Sequence, residues 1–360
     1  MQSVSAIVQC PIHDSFRVQQ VAGLFDVTLA EKARAEFSVE LPDMHEPWQI
    51  GAIVGPSGSG KTAIARQAFG RHFYTTSEWP KDKAVIDGFG DLPIKTITHA
   101  LTAVGFSSPP GWIKPYHVLS NGEQFRCNLA RSLLEPGELV VFDEFTSVVD
   151  RTVGKIGSAA VAKAIRKGLI SKRFVAVTCH YDVLDWLEAD WVLDMAAGKV
   201  ARGRLRRPPG GRPEIVLEVF RCRREAWRLF AKHHYLSADL NPAVDCYLAT
   251  WGDQPVAFVA VVPHIGKRNY RRVSRIVVLP DFQGIGIGGE VVDAICRLYR
   301  DRGMRVGITT SHPAMISHLK RSRQWRLTNF RKTGNPTARG FPHRPKGSYG
   351  RSVASFCFRG

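Results

Sequence analysis

Residues Gly55 to Thr62 read GPSGSGKT, a turn of the form G-x-x-x-x-G-K-[ST] set between an apolar run, IGAIVG, and a helical stretch. Across Gly55, Pro56, Ser57, Gly58, Ser59 and Gly60 the glycines let backbone N–H groups curl around phosphates, and the helix start adds its positive end. Lys61 can reach β- and γ-phosphates, and Thr62 can offer its hydroxyl to Mg²⁺. Downstream, ELVVFDEF puts Asp143 at the end of a buried strand, where it can hold Mg²⁺ through water. Glu144 follows at the position of a base that polarises an attacking water. Then come Ser147–Asp150 (SVVD) and His180, which ends the next strand, FVAVTCH, and is placed to sense a γ-phosphate. Together these groups point to binding and hydrolysis of a nucleoside triphosphate.

The elements that must position them alternate between strand-like apolar runs and helices, the pattern of an α/β domain with a largely parallel sheet. The chain has 360 residues, enough for two domains that each bury a core. A Pro-Pro-Gly-Gly stretch within Arg204–Pro213 reads as a linker. Charge divides at the same place. Residues 1–205 carry 22 Lys+Arg and 22 Asp+Glu; residues 206–360 carry 28 and 10, so the whole formal excess of +18 lies in the second part. A field of that sign attracts polyanions, which makes nucleic acid, DNA or tRNA, the expected partner. No run of about 18 apolar residues occurs, so no spanning helix and no membrane partner are expected. The N-terminus lacks a basic stretch followed by an apolar one, so a cytoplasmic protein is expected. The seven scattered cysteines include no C-x-x-C and read as reduced core thiols.

The segment LSNGEQFRCNLARSL, Leu119 to Leu133, completes a set of five motifs in order. With GPSGSGKT, ELVVFDE, SVVD and His180, it makes residues from about 15 to 205 resemble an ABC-type ATPase domain. The resemblance implies that Ser120 and Gly122 of one copy close on the γ-phosphate held by another, with Asp150 in the loop between them, so that the chain forms a homodimer around two ATP molecules. Two departures stand out. LSNGE replaces the usual LSGGQ, bringing Asn121 and Glu123 near the site. The family's Q-loop glutamine has no counterpart; Asp87 in VIDGFGD stands in about the right place, as a metal-site substitute or as a plain turn residue. The segment between phosphate loop and signature is also short, which argues against coupling to a membrane domain.

In the second part, VSRIVVLPDFQGIGIGGEVVDAI gives a strand, a glycine turn and a helix. Gln283, Gly284, Gly286, Gly288 and Gly289 span a Q/R-x-x-G-x-G/A pattern that resembles the acetyl-CoA loop of the GNAT acetyltransferases. There the backbone N–H groups of the turn receive the pyrophosphate, and Val277, Val278 and Leu279 would offer strand backbone to the pantetheine arm. EIVLEVF, CYLATWG and PVAFVAVVP read as further strands, and helices fit 224–234, 288–302 and 314–322. The common GNAT glutamate base and tyrosine acid are not visible: the central strand has no carboxylate, and the helix after SHP offers Ser311, His312 and His318 instead. AKHHYLSADLNP is similar to the KHHYS segment of the Mom-type phage proteins, which are GNAT-like enzymes that modify adenine in DNA. That similarity implies proton transfer or base positioning by His234 and Tyr235, with Ser274 a weaker third. On the residues alone His234 and Tyr235 could equally end a helix and pack as core. The tail from Leu319 to Arg351 mixes ten basic residues with Trp325, Phe330, Phe341 and Tyr349, which could meet phosphates and stack bases.

The sequence therefore predicts an α/β chain. An ABC-type P-loop ATPase domain spans 1–205, a linker 206–213, and an α+β GNAT-like acyltransferase domain 214–360. Such a fusion resembles a family of ATPases joined to a predicted acetyltransferase, seen in prokaryotes and their phages. ATP, Mg²⁺ and acetyl-CoA or a related donor are the expected cofactors, and a nucleic-acid base is the expected acceptor. The competing readings are an ATP-regulated acetyltransferase of proteins or small amines, and a nucleic-acid-binding ATPase clamp whose transferase fold has lost its chemistry.

Overall fold

The apolar runs of the N-terminal part do form a sheet, and its strand ends gather the phosphate-binding residues. A computed structural model describes residues 2–9, 15–28, 34–75, 78–203, 212–234, 239–332 and 352–360. Their contacts separate two units: 1–104 with 116–213, and 105–115 with 214–360. The short segment 105–115, which the sequence places inside the ATPase domain, thus packs with the second unit.

In the first unit, β1 (Gln2–Gln9) and β2 (Arg34–Leu41) form an antiparallel pair. Between them in the chain is α1 (Phe16–Leu24), N-capped by Ser15. The elements that follow are β3 (Ile50–Val54), α2 (Lys61–Phe69), α3 (Ile94–Ala103), α4 (Asn121–Leu134), β4 (Leu139–Phe142), α5 (Arg151–Arg166), β5 (Arg173–Thr178), β6 (Trp191–Asp194) and β7 (Lys199–Arg202). The sheet order is β4-β5-β3-β6-β7, with the first four strands parallel and β7 antiparallel. All residues of β3 and β4 are buried, as expected for strands covered on both faces. Gly51 is required on β3 because the Trp191 ring of β6 lies where a Cβ would project. Three adjacent strands, β4, β5 and β3, end at the same edge of the sheet, and the loops leaving that edge carry Asp143, His180 and Gly55–Thr62.

The second unit is a seven-stranded sheet of order β13-β14-β12-β11-β10-β9-β8. Its strands are β8 (Glu218–Cys222), β9 (Asp245–Trp251), β10 (Gln254–Pro263), β11 (Tyr270–Val278), β12 (Arg305–Thr310), β13 (Trp325–Lys332) and β14 (Ser352–Phe358). The β9–β10 hairpin turns at Gly252-Asp253, as the Gly-Asp-Gln-Pro break predicts. Only β11 and β12 run parallel, linked by α6 (Ile287–Asp301); α7 (Pro313–Arg321) follows β12. Val259, Val261, Val291, Ile295, Ile308 and Phe356 form part of the main core. Asp293 is buried within it and accepts hydrogen bonds from Trp325 Nε1 at 2.7 Å and His318 Nε2 at 3.3 Å, tying α6 to β13 and α7.

Several expectations need correction. The helix expected over 224–234 is two 3-10 turns, Arg224–Leu229 and Ala231–His233. Aromatic packing of Trp227 and Phe230 on Phe258 replaces a regular helical ladder there. The strand expected at 214–220 starts later, at Glu218. Trp325 is not a base-stacking candidate, since it is buried and hydrogen-bonded to Asp293. Phe341 and Tyr349 lie outside the described residues, as do Cys10 and the proline-glycine run of the linker. Among the described cysteines all are free; four are buried, but Cys179 is exposed.

One ion pair anchors the edge of the first sheet opposite the candidate site. Arg166 at the end of α5 forks onto Asp190, with contacts of 2.7 and 2.9 Å, and Asp190 also accepts from the N–H groups of Gln49 and Ile50 at the start of β3. Burial would raise the Asp190 carboxyl, but Arg166 and the two N–H groups hold it below its ordinary value. Asp190→Asn is expected to lower unfolding stability by about 2 kcal/mol, seen as a lower urea midpoint. A depressed carboxylate stabilises above its unfolded pKa and loses that contribution as pH falls. The gap between wild type and variant should therefore close as pH drops below about 3.9.

Candidate functional site

Helix α2 begins at Gly60, whose φ of 81° is left-handed, and no side chain caps it. A left-handed helix start suits glycine, and the missing cap leaves the first N–H groups of α2 without a side-chain acceptor. The preceding turn is exposed at Pro56, Ser57 and Gly58, while Ser59 and Gly60 are half-buried. Lys61 Nζ donates to Pro56 O at 2.8 Å, so the lysine folds back over its own loop. Thr62 Oγ1 donates to Asp143 Oδ1 at 3.1 Å, and the Glu144 N–H reaches the same oxygen at 3.0 Å. The two expected Mg²⁺ ligands, 81 residues apart in sequence, are thus brought into contact. A phosphate-bound cation fits between a hydroxyl and a carboxylate arranged this way.

Glu144 has a φ of 51° and its carboxylate accepts from Ser147 Oγ at 2.6 Å. Two residues on, buried Thr146 has a φ of 69°, a conformation rare for a β-branched residue. Its hydroxyl lies 3.1 Å from His180 Nδ1. Left-handed backbone at two residues in this turn is strain of the kind held at functional sites. The sequence offers no pattern from which the Thr146–His180 pairing could be read. Burial, and then the Arg151 guanidinium, push the His180 pKa down, so its imidazole is neutral near pH 7.

The signature helix is built differently. Ser120 N-caps α4: its Oγ accepts from the Glu123 N–H at 3.3 Å, and Glu123 Oε2 accepts from the Ser120 N–H at 3.0 Å. This reciprocal capping box gives Glu123 of LSNGE a local role, as the N3 partner of Ser120. Ser120 and Asn121 are exposed, whereas Gly122 is buried. Trp79 fixes the helix from outside the motif, stacking on Tyr116 at 4.8 Å and donating to Asn128 Oδ1 at 2.7 Å, with Arg131 over its ring. Asp150 N-caps α5 through the N–H groups of Thr152 and Val153. In this single chain its carboxylate is therefore committed to a helix start rather than to a nucleotide. Asp87 sits exposed in a 3-10 turn, Val85–Phe89, and no cluster of three acids, histidines or cysteines suited to a metal occurs among the described residues. Asp87 thus does not complete a metal-binding cluster with Asp143 and Glu144.

In the second unit, α6 also starts from a left-handed glycine, Gly286 (φ 109°), and again no side chain caps it. Gly284 has a φ of 97° in the turn before. Gly288 and Gly289 serve packing: a Cβ would crowd Val278 at the first and overlap the His318 ring at the second. The β11–β12 pairing covers only Tyr270–Val273 against Arg305–Ile308 and then stops. Beyond Val273, β11 keeps its antiparallel pairing with β10 but has no ladder to β12. Val277 and Val278 lie on this splayed stretch; β11 ends at Val278, so Leu279 begins the next turn, Pro280–Phe282. A slot flanked by unpaired strand backbone and ending at an uncapped helix suits an extended ligand with a phosphate end. Gln283 does not carry a loose side chain: its Nε2 donates to Val278 O and its Oε1 accepts from the Ser107 N–H, both at 2.8 Å. Ser274 Oγ donates to Ala260 O. His234 is half-buried, with its ring edge-on to Trp227 at 5.6 Å. Tyr235 lies outside the described residues.

Comparison with known proteins finds similarities in both units. The model of the Acetyltransferase (GNAT) family matches residues 212–318. The zinc import ATP-binding protein ZnuC of Pseudomonas fluorescens is 33% identical over 125 residues, which cover 29% of this chain and 48% of that protein. The Fe(3+) ions import ATP-binding protein FbpC of Yersinia pestis is 27% identical over 205 residues, covering 44% and 55%. A Bacillus subtilis acetyltransferase solved in complex with CoA aligns over 41% of this chain and 99% of its own, at 14% identity and a TM-score of 0.33. The chain spans between 24% and 55% of the length of these curated relatives and of a putative ATP-binding protein of Bacillus subtilis.

The electrostatics of His180 can be measured directly. In an NMR titration of the full chain its ring should titrate below the ordinary histidine value of about 6.5. Arg151→Ala should move it upward, since removing a nearby cation favours the protonated ring.

Proposed function

Since the chain joins an ABC-type ATPase domain to a GNAT acetyltransferase domain, we propose that it is an ATP-driven, cytoplasmic homodimer that transfers an acetyl or related acyl group to a nucleic-acid base. The observation that carries this reading is the pair of uncapped, glycine-started helices, α2 and α6, one in each unit. Each suits a phosphate-bearing ligand: ATP at α2 and the pyrophosphate of acetyl-CoA at α6.

At the first site the backbone of Gly58 to Gly60 and Lys61 hold the β- and γ-phosphates, and Thr62 and Asp143 hold Mg²⁺. Mg²⁺ held by Thr62 and Asp143 would supply neutralisation of the phosphate charge. Glu144, steadied by Ser147, accepts a proton from the attacking water. Neutral His180, steadied by Thr146, donates to the γ-phosphate. Ser120 and Gly122 of a second copy close the site. Among the described residues no helix is long and apolar enough to cross a membrane.

At the second site the unpaired backbone of β11 holds the acyl-pantetheine arm. His234 accepts the proton lost as the acceptor amine bonds to the acyl carbon and the C–S bond to CoA breaks. Tyr235 positions the base. A basic, exposed edge strand supports a nucleic-acid acceptor. Arg326, Arg331 and Lys332 are exposed on β13, where Phe330 is exposed too and carries Lys320 at 5.5 Å from its ring.

Two experiments test the reading. Glu144→Gln should lower ATP turnover by about 10²–10³-fold while keeping ATP binding, and should trap an ATP-dependent dimer on gel filtration. A monomer at saturating ATP would overturn the sandwich. Mass analysis of nucleosides from DNA and tRNA of expressing cells should show an added acyl mass that is absent with His234→Ala or Tyr235→Phe. Unmodified nucleosides in cells holding abundant active ATPase would overturn the base-modifying role.

A further inference from the structure

The segment 105–115 lies in sequence between α3 and the signature helix α4, yet it packs with the transferase unit. Phe106, Ser108 and Trp112 are buried, and Trp112 Nε1 donates to Phe106 O at 2.9 Å, so the segment is folded rather than draped. Ser107 supplies both polar anchors. Its N–H donates to Gln283 Oε1 at 2.8 Å, and its carbonyl lies 2.9 Å from His312 Nε2. A carbonyl only accepts, so His312 is the donor and its proton sits on Nε2. Gln283 opens the glycine turn before α6 and also ties to the last residue of β11 through Val278 O. His312 is the residue before the first turn of α7. The two backbone polar groups of residue 107 therefore brace the glycine turn, the end of the splayed strand and the start of α7.

The same segment leads straight into the signature. Only Tyr116–Leu119 separates Pro115 from Ser120, the N-cap of α4, and Tyr116 is held by its stack on Trp79 and by Asn128 Nδ2 at 2.9 Å. Resting on the donor-site reading above, we propose that Ser107 is a positioning residue of the acyl-donor site and that 105–115 couples this site to nucleotide bound at the signature. Closure on Ser120 orders the stretch that runs into Ser107. With less left to order, donor binding costs less, so the coupling is positive. Linkage then requires acetyl-CoA to tighten ATP by the same factor.

Calorimetric titrations of the full chain carrying Glu144→Gln, with acetyl-CoA as the probe, decide this. Acetyl-CoA is expected to bind about fivefold tighter or more with saturating ATP and Mg²⁺ than without, with an equal factor when ATP is titrated against acetyl-CoA. Ser107→Pro, which removes the N–H, should bring the factor towards one. His312→Phe should do the same, while His312→Gln, which keeps a donor near the Nε2 position, should restore it. The histidine pair gives the answer even where the proline disturbs folding. Acetyl-CoA affinity that is unchanged or weakened by ATP overturns the coupling and leaves the donor reading standing. No acetyl-CoA binding under either condition overturns both.

Discussion

An α-helix leaves its first four N–H groups without carbonyl partners. Helices α3 and α7 start at Pro93 and His312 with no side-chain cap, and the other five of α1 to α7 fall into two groups. Helices α1, α4 and α5 begin at Ser15, Ser120 and Asp150, whose side chains fill the vacancy. Helices α2 and α6 begin at left-handed glycines with no cap and sit at the ends of sheets, where a ligand can arrive. The remaining site architecture follows from that choice. Strands β4, β5 and β3 bring Asp143, His180 and the α2 turn to one edge, and the parting of β11 from β12 opens the sheet beside α6.

Much of this was legible in the sequence because it rests on local chemistry. A glycine turn between a strand and a helix has few physical uses, and both such turns were readable as phosphate sites. Apolar runs bounded by turns marked β3, β4 and β5 of the first sheet and β8 to β11 of the second within a few residues, but not β6, β7 or β12 to β14. The errors have a common cause. Trp325 carries a ring suited to stacking, but its partner, Asp293, is set by tertiary packing. The stretch after Arg224 had a helical pattern, but Trp227 and Phe230 pack on Phe258 through 3-10 turns. Thr146, which steadies His180, and Ser107, which braces Gln283, were invisible because their contacts join residues 34 and 176 positions apart.

The capping box on α4 places an energetic condition on any closed form. Ser120 already exchanges hydrogen bonds with Glu123, using both its N–H and its hydroxyl. A phosphate arriving there competes with a carboxylate that is covalently close. A glutamine in that position, as in LSGGQ, would present a neutral competitor. In the proposed ATP-bound dimer, closure would therefore depend on the charge of Glu123 as well as on the nucleotide.

The excursion of residues 105–115 into the second unit also bears on modularity. A fusion whose halves met only at the proline-glycine linker could be cut there into two self-sufficient proteins. Here the second unit also draws on Ser107, encoded before the signature helix, whose backbone groups meet Gln283 and His312. A gene rearrangement that carried off 214–360 alone would leave those two anchors of the glycine turn and of α7 behind, so a cut at the linker does not coincide with the boundary between the two units.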